Sequence, residues 1–452
     1  MMSEATRPTP VRRLAALISM AALVASVVVV ASLALSNIVD IVIASLGLSI
    51  AIGGAWYSLS HRGTVRLLAS AAVLAGLAIV VGMFVVGEVR LWPWLAVAVA
   101  AAISVGSAGF ALREPHHDAP LADEPPAPRA RRPVLLMNPK SGGGKAVKFQ
   151  LERECRDRGI EPIVLGPGDD LLQLAEDAVA RGADVIGMAG GDGSQALVGS
   201  VASAHGIPHV VIPAGTRNHF ALDLGIDRDD VVAALDAYTD GVDRTIDLAE
   251  VNGRVFVNNA TLGLYARIVQ SPEYRDAKVQ TSLEMLPDLI GPDAEPLDLR
   301  FTGPDGEEVP TAAVILVSNG PYELQRAKGR GSRERLDDGT LGIATLTVLS
   351  ASDMQKLISL EAAGRLGRFE GWREWTADRF EVRSADRVDV GVDGEALTMD
   401  PPLVFATRPG ALTIRMPRHA PGRSPAASAV RVTEASTIRE LLRIAAGKPT
   451  NT

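Results

Sequence analysis

The segment Gly190, Gly191, Asp192, Gly193, Ser194 sets three glycines around one carboxylate, directly after the apolar run from Ala183 to Met188. A buried strand ending in such a turn leaves backbone N–H groups unpaired where the next helix begins, which suits an anion. Glycine serves twice there: it accepts positive φ, and it lets the backbone approach a phosphate with no Cβ in the way. Asp192 then falls where the metal-bound part of a nucleotide would lie. Alone, the segment reads first as a turn with an exposed Asp; its weight comes from its company.

Two further loops share its character. Asn138 to Lys145 follows the strand-like run Val134 to Met137, and its two lysines add charge to a helix N-terminus. It is not a Walker A loop, because Pro139 stands at the first glycine position and Ala146 follows the lysine; a flexible Ser/Gly turn is the alternative. In the third loop, Pro213 to Ala221, Pro213 and Gly215 make a tight turn, and Thr216 and Asn218 offer short polar groups to a phosphate or a helix cap. His219, with no partner readable from sequence, is taken as a hydrogen-bonding structural residue rather than a base. Two acidic turns lie downstream, Asp337-Asp338-Gly339 and Asp393-Gly394-Glu395, and Asp-Gly between strands is ordinarily a solvated hairpin.

These loops need elements to hold them. The short apolar runs Val134–Met137, Pro162–Leu165, Asp184–Met188 and His209–Ile212 alternate with helical patterns at Ala146–Arg158, Leu171–Arg181 and Ser194–Ala204. That alternation predicts βα units on a parallel sheet, with the glycine-rich loops at the carboxyl ends of strands, where such sheets bind ligands. After Asp247 come strand-like runs at Val255–Ala260, Ala312–Val317, Leu341–Leu349, Arg379–Val382, Arg387–Val392, Leu403–Thr407 and Leu412–Met416, with a helical stretch near Asp353–Arg365. These predict an antiparallel sandwich or barrel.

The N-terminal quarter is of another kind. Four apolar blocks, Leu14–Leu35, Ile38–Tyr57, Leu67–Val86 and Leu91–Leu112, each approach the roughly 20 residues that cross a bilayer, with Tyr57, Trp92 and Trp94 at block ends. Arg7, Arg12 and Arg13 precede the first block, Arg62 and Arg66 separate the second and third, and Arg113, Arg129, Arg131 and Arg132 follow the fourth; the other two connections carry only Arg90. By the positive-inside rule the N-terminus and everything after Leu112 are cytoplasmic. The first block exceeds the roughly 7–15 apolar residues of a signal peptide, and cleavage would in any case leave the later part cytoplasmic. Residues 113–132, with His116 and His117 among prolines, read as a linker; the tail after Pro421 becomes amphipathic from Ser436 to Ala446. Cys155 stands alone, so no disulfide framework or thiolate metal site is built within the chain. A net charge of −8 argues against a nucleic-acid partner.

In order and spacing, Asn138–Lys145, Gly190–Ser194, Pro213–Ala221 and Asp393–Glu395 resemble the diacylglycerol kinase catalytic-domain family, which includes bacterial lipid kinases and is similar to sphingosine and ceramide kinases. The likeness runs from about Pro133 to Pro417. It implies an α/β plus β fold of the NAD kinase/diacylglycerol kinase kind, with a three-layer α/β nucleotide-binding domain over 133–247 and a β-sandwich domain over 248–417; the transmembrane α-helices over 1–112, the linker over 113–132 and the tail over 418–452 lie outside the resemblance and are read from the apolar and polar patterns. ATP with Mg2+ would bind in the interdomain cleft. Nucleotide contacts would come from Asn138, Lys145, Gly190, Gly191, Gly193, Ser194, Gly215, Thr216 and Asn218. Asp192 would hold the catalytic magnesium or orient the nucleophile, Asp393 would be the general base with Glu395 its acidic neighbour, and Asp338 would hold a second, structural magnesium. Three positions depart from the usual pattern: Ser194 for Thr, His219 for Asp, and Leu222 where Arg is often found.

The implied reaction is ATP-dependent phosphorylation of a lipid hydroxyl, with diacylglycerol the default acceptor, by a multi-pass protein of the inner (plasma) membrane whose catalytic part is cytoplasmic. The implied partner is a membrane lipid, and a homodimer is left open. The alternatives are a kinase of a soluble substrate, since NAD kinases and 6-phosphofructokinases also use Gly-Gly-Asp-Gly, and a membrane-anchored nucleotide or lipid sensor without turnover.

Overall fold

The computed structural model describes residues 8–61, 63–86, 91–112, 121, 124–264, 266, 297–324, 331–348, 350–362, 365–427 and 435–448. Arg7, Arg62, Arg90, Arg113, His116 and His117, used above for orientation and linker, lie outside the described residues. Two compact units divide the chain, residues 1–118 with 429–452, and residues 119–428.

In the first unit, α1 (Pro10–Ser36), α2 (Ile38–Ser60), α3 (Gly63–Val86) and α4 (Leu91–Leu112) are each long and apolar enough to cross a membrane. Small residues let them pack closely, as membrane helices require in place of a hydrophobic drive. A Cβ on Gly76 of α3 would overlap the carbonyl of Gly47 in α2. Between α1 and α4, Ser19 Oγ donates to the carbonyl of Ser104 and Ser104 Oγ to that of Ser19, both at 2.9 Å, so neither hydroxyl is left unpaired among apolar neighbours.

The second unit begins with β1 (Pro133–Met137), β2 (Glu161–Val164), β3 (Val185–Ala189) and β4 (His209–Ile212), parallel in the order β2-β1-β3-β4. Between and after them lie α5 (Lys145–Lys148), α6 (Leu151–Asp157), α7 (Leu171–Ala180), α8 (Asp192–His205) and α9 (His219–Asp223). The single helix expected over Ala146–Arg158 is two helices, because Gln150 takes a φ of 51° between them.

This sheet continues past β4. β5 (Gly241–Val251), β6 (Arg254–Phe256), β7 (Asn259–Gly263), β8 (Arg300–Thr302), β9 (Glu308–Val309), β10 (Val314–Asn319) and β11 (Leu341–Leu346) precede α10 (Ala351–Ala362). β12 (Trp372–Ala377), β13 (Arg379–Arg383), β14 (Val388–Val392), β15 (Glu395–Met399) and β16 (Leu403–Pro417) complete the strands. The two strands expected over Leu403–Thr407 and Leu412–Met416 are one long strand, β16, with a register shift against β5 between Arg408 and Leu412. Its far end lies parallel to β4 at Ile414 and its near end antiparallel to β13, so one ten-stranded sheet runs from the α/β layer into the sandwich. The expected domain boundary at Asp247 falls inside β5. A second, antiparallel sheet, β12-β11-β10-β7-β14-β15, packs on the far half of the first through Phe256, Phe301, Phe380 and Phe405 against Leu262, Val317 and Val390. Burial of each such side chain is worth about 1.5–3 kcal/mol.

The Pro-rich stretch before β1 is docked rather than free. Leu121 is buried in the core, Ala127 N–H donates to the Gly241 carbonyl, and Arg415 Nη1 reaches the Pro128 carbonyl at 2.8 Å. In the first unit, the amphipathic pattern near the C-terminus is α11 (Ala435–Ala445), which sets Leu441 and Ile444 against Ala15, Ala16, Ala108 and Ala111.

Candidate functional site

The three glycine-rich loops meet at the carboxyl ends of β1, β3 and β4. A Cβ on Gly142 would overlap the Ala214 carbonyl, and one on Gly215 would overlap Cα of Gly191, so the loops touch backbone to backbone. Gly142, Gly143 and Gly144 hold φ of 55°, 71° and 83°, a run that side chains with a Cβ rarely adopt. Asn138 accepts from Lys140 N–H at 3.0 Å and so braces the first loop.

Gly191 caps α8 without a side chain to satisfy the first N–H groups of the helix, which is the arrangement an anion completes. Gln195, one turn in, donates from Nε2 to the carbonyls of Met188 and Ile212 and so ties the ends of β3 and β4 together. Its Oε1 lies 2.9 Å from His209 Nε2; burial pushes that imidazole down to about 3, and it stays neutral.

Asn218 is buried with a φ of 52°, and its side chain accepts from Gly215 N–H and donates to the carbonyls of Pro213 and Gly215. It therefore shapes the third loop from within, while Thr216 at the tip is exposed. Asp192 reaches across to this loop: Oδ2 accepts from His219 N–H at 3.0 Å and Oδ1 from Phe220 N–H at 3.2 Å, capping α9. The missing third-loop Asp thus leaves a residue that contributes its main chain here.

Asp393 comes from the other sheet. With φ of 46° at Asp393 and 86° at Gly394, the two form the tight turn between β14 and β15 that Asp-Gly favours. This hairpin is not the solvated one its composition suggests. The carboxylate folds back, so that Oδ2 accepts from Val257 N–H at 2.8 Å and Oδ1 from Asn258 and Asn259 N–H at 2.8 and 3.1 Å. Burial pushes its pKa up to about 6; the three N–H donors pull it down, and the facing Asp192 carboxylate pushes it further up. Asp192 and Asp393, 201 positions apart in sequence, lie near enough that the charge on one disfavours the charge on the other. Glu395 lies beside them: a Cβ on Gly193 would stand 2.8 Å from its Oε1, and its Oε2 pairs with Arg254 at 2.5 Å.

Two expected site residues are engaged elsewhere. Lys145 Nζ lies 3.3 Å from the Arg228 carbonyl beyond α9. Asp338 pairs with Arg335 at 3.0 Å and faces Asp247, whose carboxylate accepts from Gly339 and Gly410 N–H. Burial raises the Asp338 pKa.

The sequence reading missed the polar hub behind Asp393. Arg333 and Asp223 are an entirely buried pair at 2.7 Å, and Tyr322 lies under the guanidinium at 5.4 Å. Their 110-residue separation leaves no local pattern to detect. Tyr322 also lines a cavity of about 790 Å³ in which Leu316, Ile343 and Trp372 stand beside the charged Asp305, Arg373 and Glu374, and its hydroxyl accepts from Asn259 Nδ2 at 3.2 Å. Asn259 is one of the three residues whose N–H groups hold Asp393, so cavity and carboxylate share a neighbour.

Residues 132–251 match the model of the diacylglycerol kinase catalytic domain. A protein of Pseudomonas aeruginosa PAO1 named "Probable lipid kinase YegS-like" is 28% identical over 300 residues, covering 64% of this chain and 95% of its own. A Bacillus subtilis protein named "Diacylglycerol kinase" is 28% identical over 283 residues, covering 59% of this chain and 90% of its own. A crystal structure of a diacylglycerol kinase from Bacillus anthracis str. Sterne is 18% identical with a TM-score of 0.45, covering 64% of this chain and 97% of that one.

Proposed function

We propose that this chain, whose residues 132–251 match the diacylglycerol kinase catalytic-domain model, is an ATP-dependent lipid kinase that phosphorylates a lipid hydroxyl, diacylglycerol first among acceptors, at the cytoplasmic face of the inner membrane. The observation that carries the reading is the approach of the Asp393–Glu395 hairpin of the opposite sheet to the anion-ready end of α8, where a Cβ on Gly193 would stand 2.8 Å from Glu395 Oε1 and the Asp192 charge acts on Asp393.

Phosphoryl transfer asks the protein for alignment, charge neutralisation and a proton acceptor. The unpaired N–H groups at the start of α8 would face the phosphates, with Gly190, Gly215 and Thr216 completing the cradle and Asn138 bracing it. Two carboxylates beside a polyphosphate repel it unless a divalent cation lies between, so the donor set fits Mg2+, which is bound through one or two carboxylates plus substrate phosphate. Asp192 would hold it there; Asp338 is the candidate for a separate structural ion. Bound Mg2+ would neutralise developing charge on the transferred group.

Asp393 is held as a base. Oδ1 takes two N–H bonds and Oδ2 one, so Oδ2 retains a lone pair for the acceptor hydroxyl. A pKa of about 6 leaves the carboxylate ionised at neutral pH yet basic enough to take a proton. The apolar helices α1–α4 would keep the enzyme at its substrate's membrane.

The test is transfer of label from γ-32P-ATP by the purified full chain into a total lipid extract, resolved by chromatography. The reading expects one labelled lipid that comigrates with phosphatidic acid. Label in a soluble acceptor, or ATP binding without any labelled product, would contradict it.

A further inference from the structure

Arg333 has no exposed side-chain surface, and its guanidinium is spread over three parts of the fold. Nε donates to Asp223 Oδ2 at 2.7 Å, Nη1 to the carbonyls of Val257 and Asn319 at 2.6 and 2.7 Å, and Nη2 to Asn258 Oδ1 at 2.9 Å. Its own N–H donates to Asp223 Oδ1 at 3.0 Å, and its carbonyl accepts from Ser424 Oγ. Burying a guanidinium is expensive, and well-packed apolar residues often serve stability as well or better. Stability alone therefore gives a weak account of a charge placed here.

The acceptors give a better one. Val257 and Asn258 are two of the three residues whose N–H groups hold Asp393. Asp223 is the last residue of α9, and the first N–H groups of that five-residue helix are the ones bonded to Asp192. A continuous set of polar contacts thus runs from Asp192 through α9, Asp223, Arg333 and the 257–258 backbone to Asp393. We propose that Asp223 and Arg333 are positioning residues for phosphoryl transfer: their buried pair fixes the main-chain cradle of Asp393 in register with the loop held by Asp192.

The planar fork is what makes the connection. Lysine would keep the charge but, as a single ammonium on a flexible stem, could not reach Asp223, Val257, Asn319 and Asn258 together in fixed geometry. A displacement near 1 Å at a reacting group costs about 10²-fold in rate. The side-chain hydrogen bonds of the pair run between the two residues and to Val257, Asn258 and Asn319, none of them in the nucleotide loops, and Asp223 meets the third loop only through the charge of His219, so the loss should fall on turnover and spare ATP binding.

The proposal rests on the kinase reading, and the experiment separates the two. Full-length wild type, Arg333→Lys, Asp223→Asn and Asn258→Ala are assayed in phospholipid nanodiscs containing diacylglycerol, with kcat, KM for ATP and the thermal midpoint measured for each. Arg333→Lys and Asp223→Asn are expected to lose about 10²-fold in kcat, and Asn258→Ala, which removes one acceptor of the fork, about tenfold, each with KM for ATP within about threefold of wild type. If the buried-pair variants fail to fold, Asn258→Ala carries the comparison. A lowered thermal midpoint with unchanged kcat in any folded variant would make the pair structural and overturn the proposal. Wild type that binds ATP and labels no lipid would overturn the kinase reading and this proposal with it.

Discussion

The turns Asp337-Asp338-Gly339 and Asp393-Gly394-Glu395 are close in composition, and both lead into or lie between strands, yet they end in opposite situations. At the first, Asp337 and Asp338 share Arg335 at the surface, and the backbone N–H of Gly339 is what bonds inward, to Asp247. At the second, the aspartate itself takes positive φ and turns its carboxylate onto three N–H groups of another segment. The difference is made by the partner: residues 257–259 present three consecutive donors to Asp393, whereas Asp338 has a flexible arginine. The carboxylate of an acidic turn is held in one orientation where main chain from elsewhere fixes it.

That comparison can be broken in graded steps. The largest effect is expected from Asp393→Asn, which should lose about 10²–10⁴-fold in kcat while ATP still protects against heat, as steady-state assay and thermal shift would show. Gly215→Ala comes next. Its Cβ would collide with main chain of Gly191 rather than with a mobile side chain, so the loops must part. ATP affinity should fall at least tenfold by titration calorimetry, with the fold kept, because the strain lies in loops.

The pH dependence sharpens the same contrast. A base must be deprotonated, and Asp393 is protonated as pH falls through about 6, so kcat/KM should drop about tenfold per unit below that value and level off above it. A base like an exposed aspartate would hold activity down to about pH 4. The smallest effect belongs to Glu395→Gln. Its pair with Arg254 is partly exposed, and such pairs are worth about 0–1 kcal/mol, so kcat should change by less than about fivefold.

Much of this was legible in the chain. The four apolar helices, the βα alternation and the three loops follow from patterns local to 10 or 20 residues. What escaped lies in contacts between distant residues. No periodicity announces that Leu403 to Pro417 is a single strand shared by two layers, or that Leu121 and Pro128 bind the supposed linker to the second unit. Asn218 was readable as a polar loop residue, but not as an internal brace whose side chain spends its bonds on Pro213 and Gly215. Arg333 and Asp223 look in sequence like ordinary surface charges, and only the fold shows them buried together.

The central claim is that carboxylates from two sheets form one reaction centre, and the most direct test is kcat for Asp192→Asn, Asp393→Asn and the double variant, all folded and assayed with the same lipid acceptor. Groups that act as a unit are strongly non-additive. The double variant should therefore be within about tenfold of the slower single one; losses that multiply in full would mean that the two residues act independently and would contradict the account.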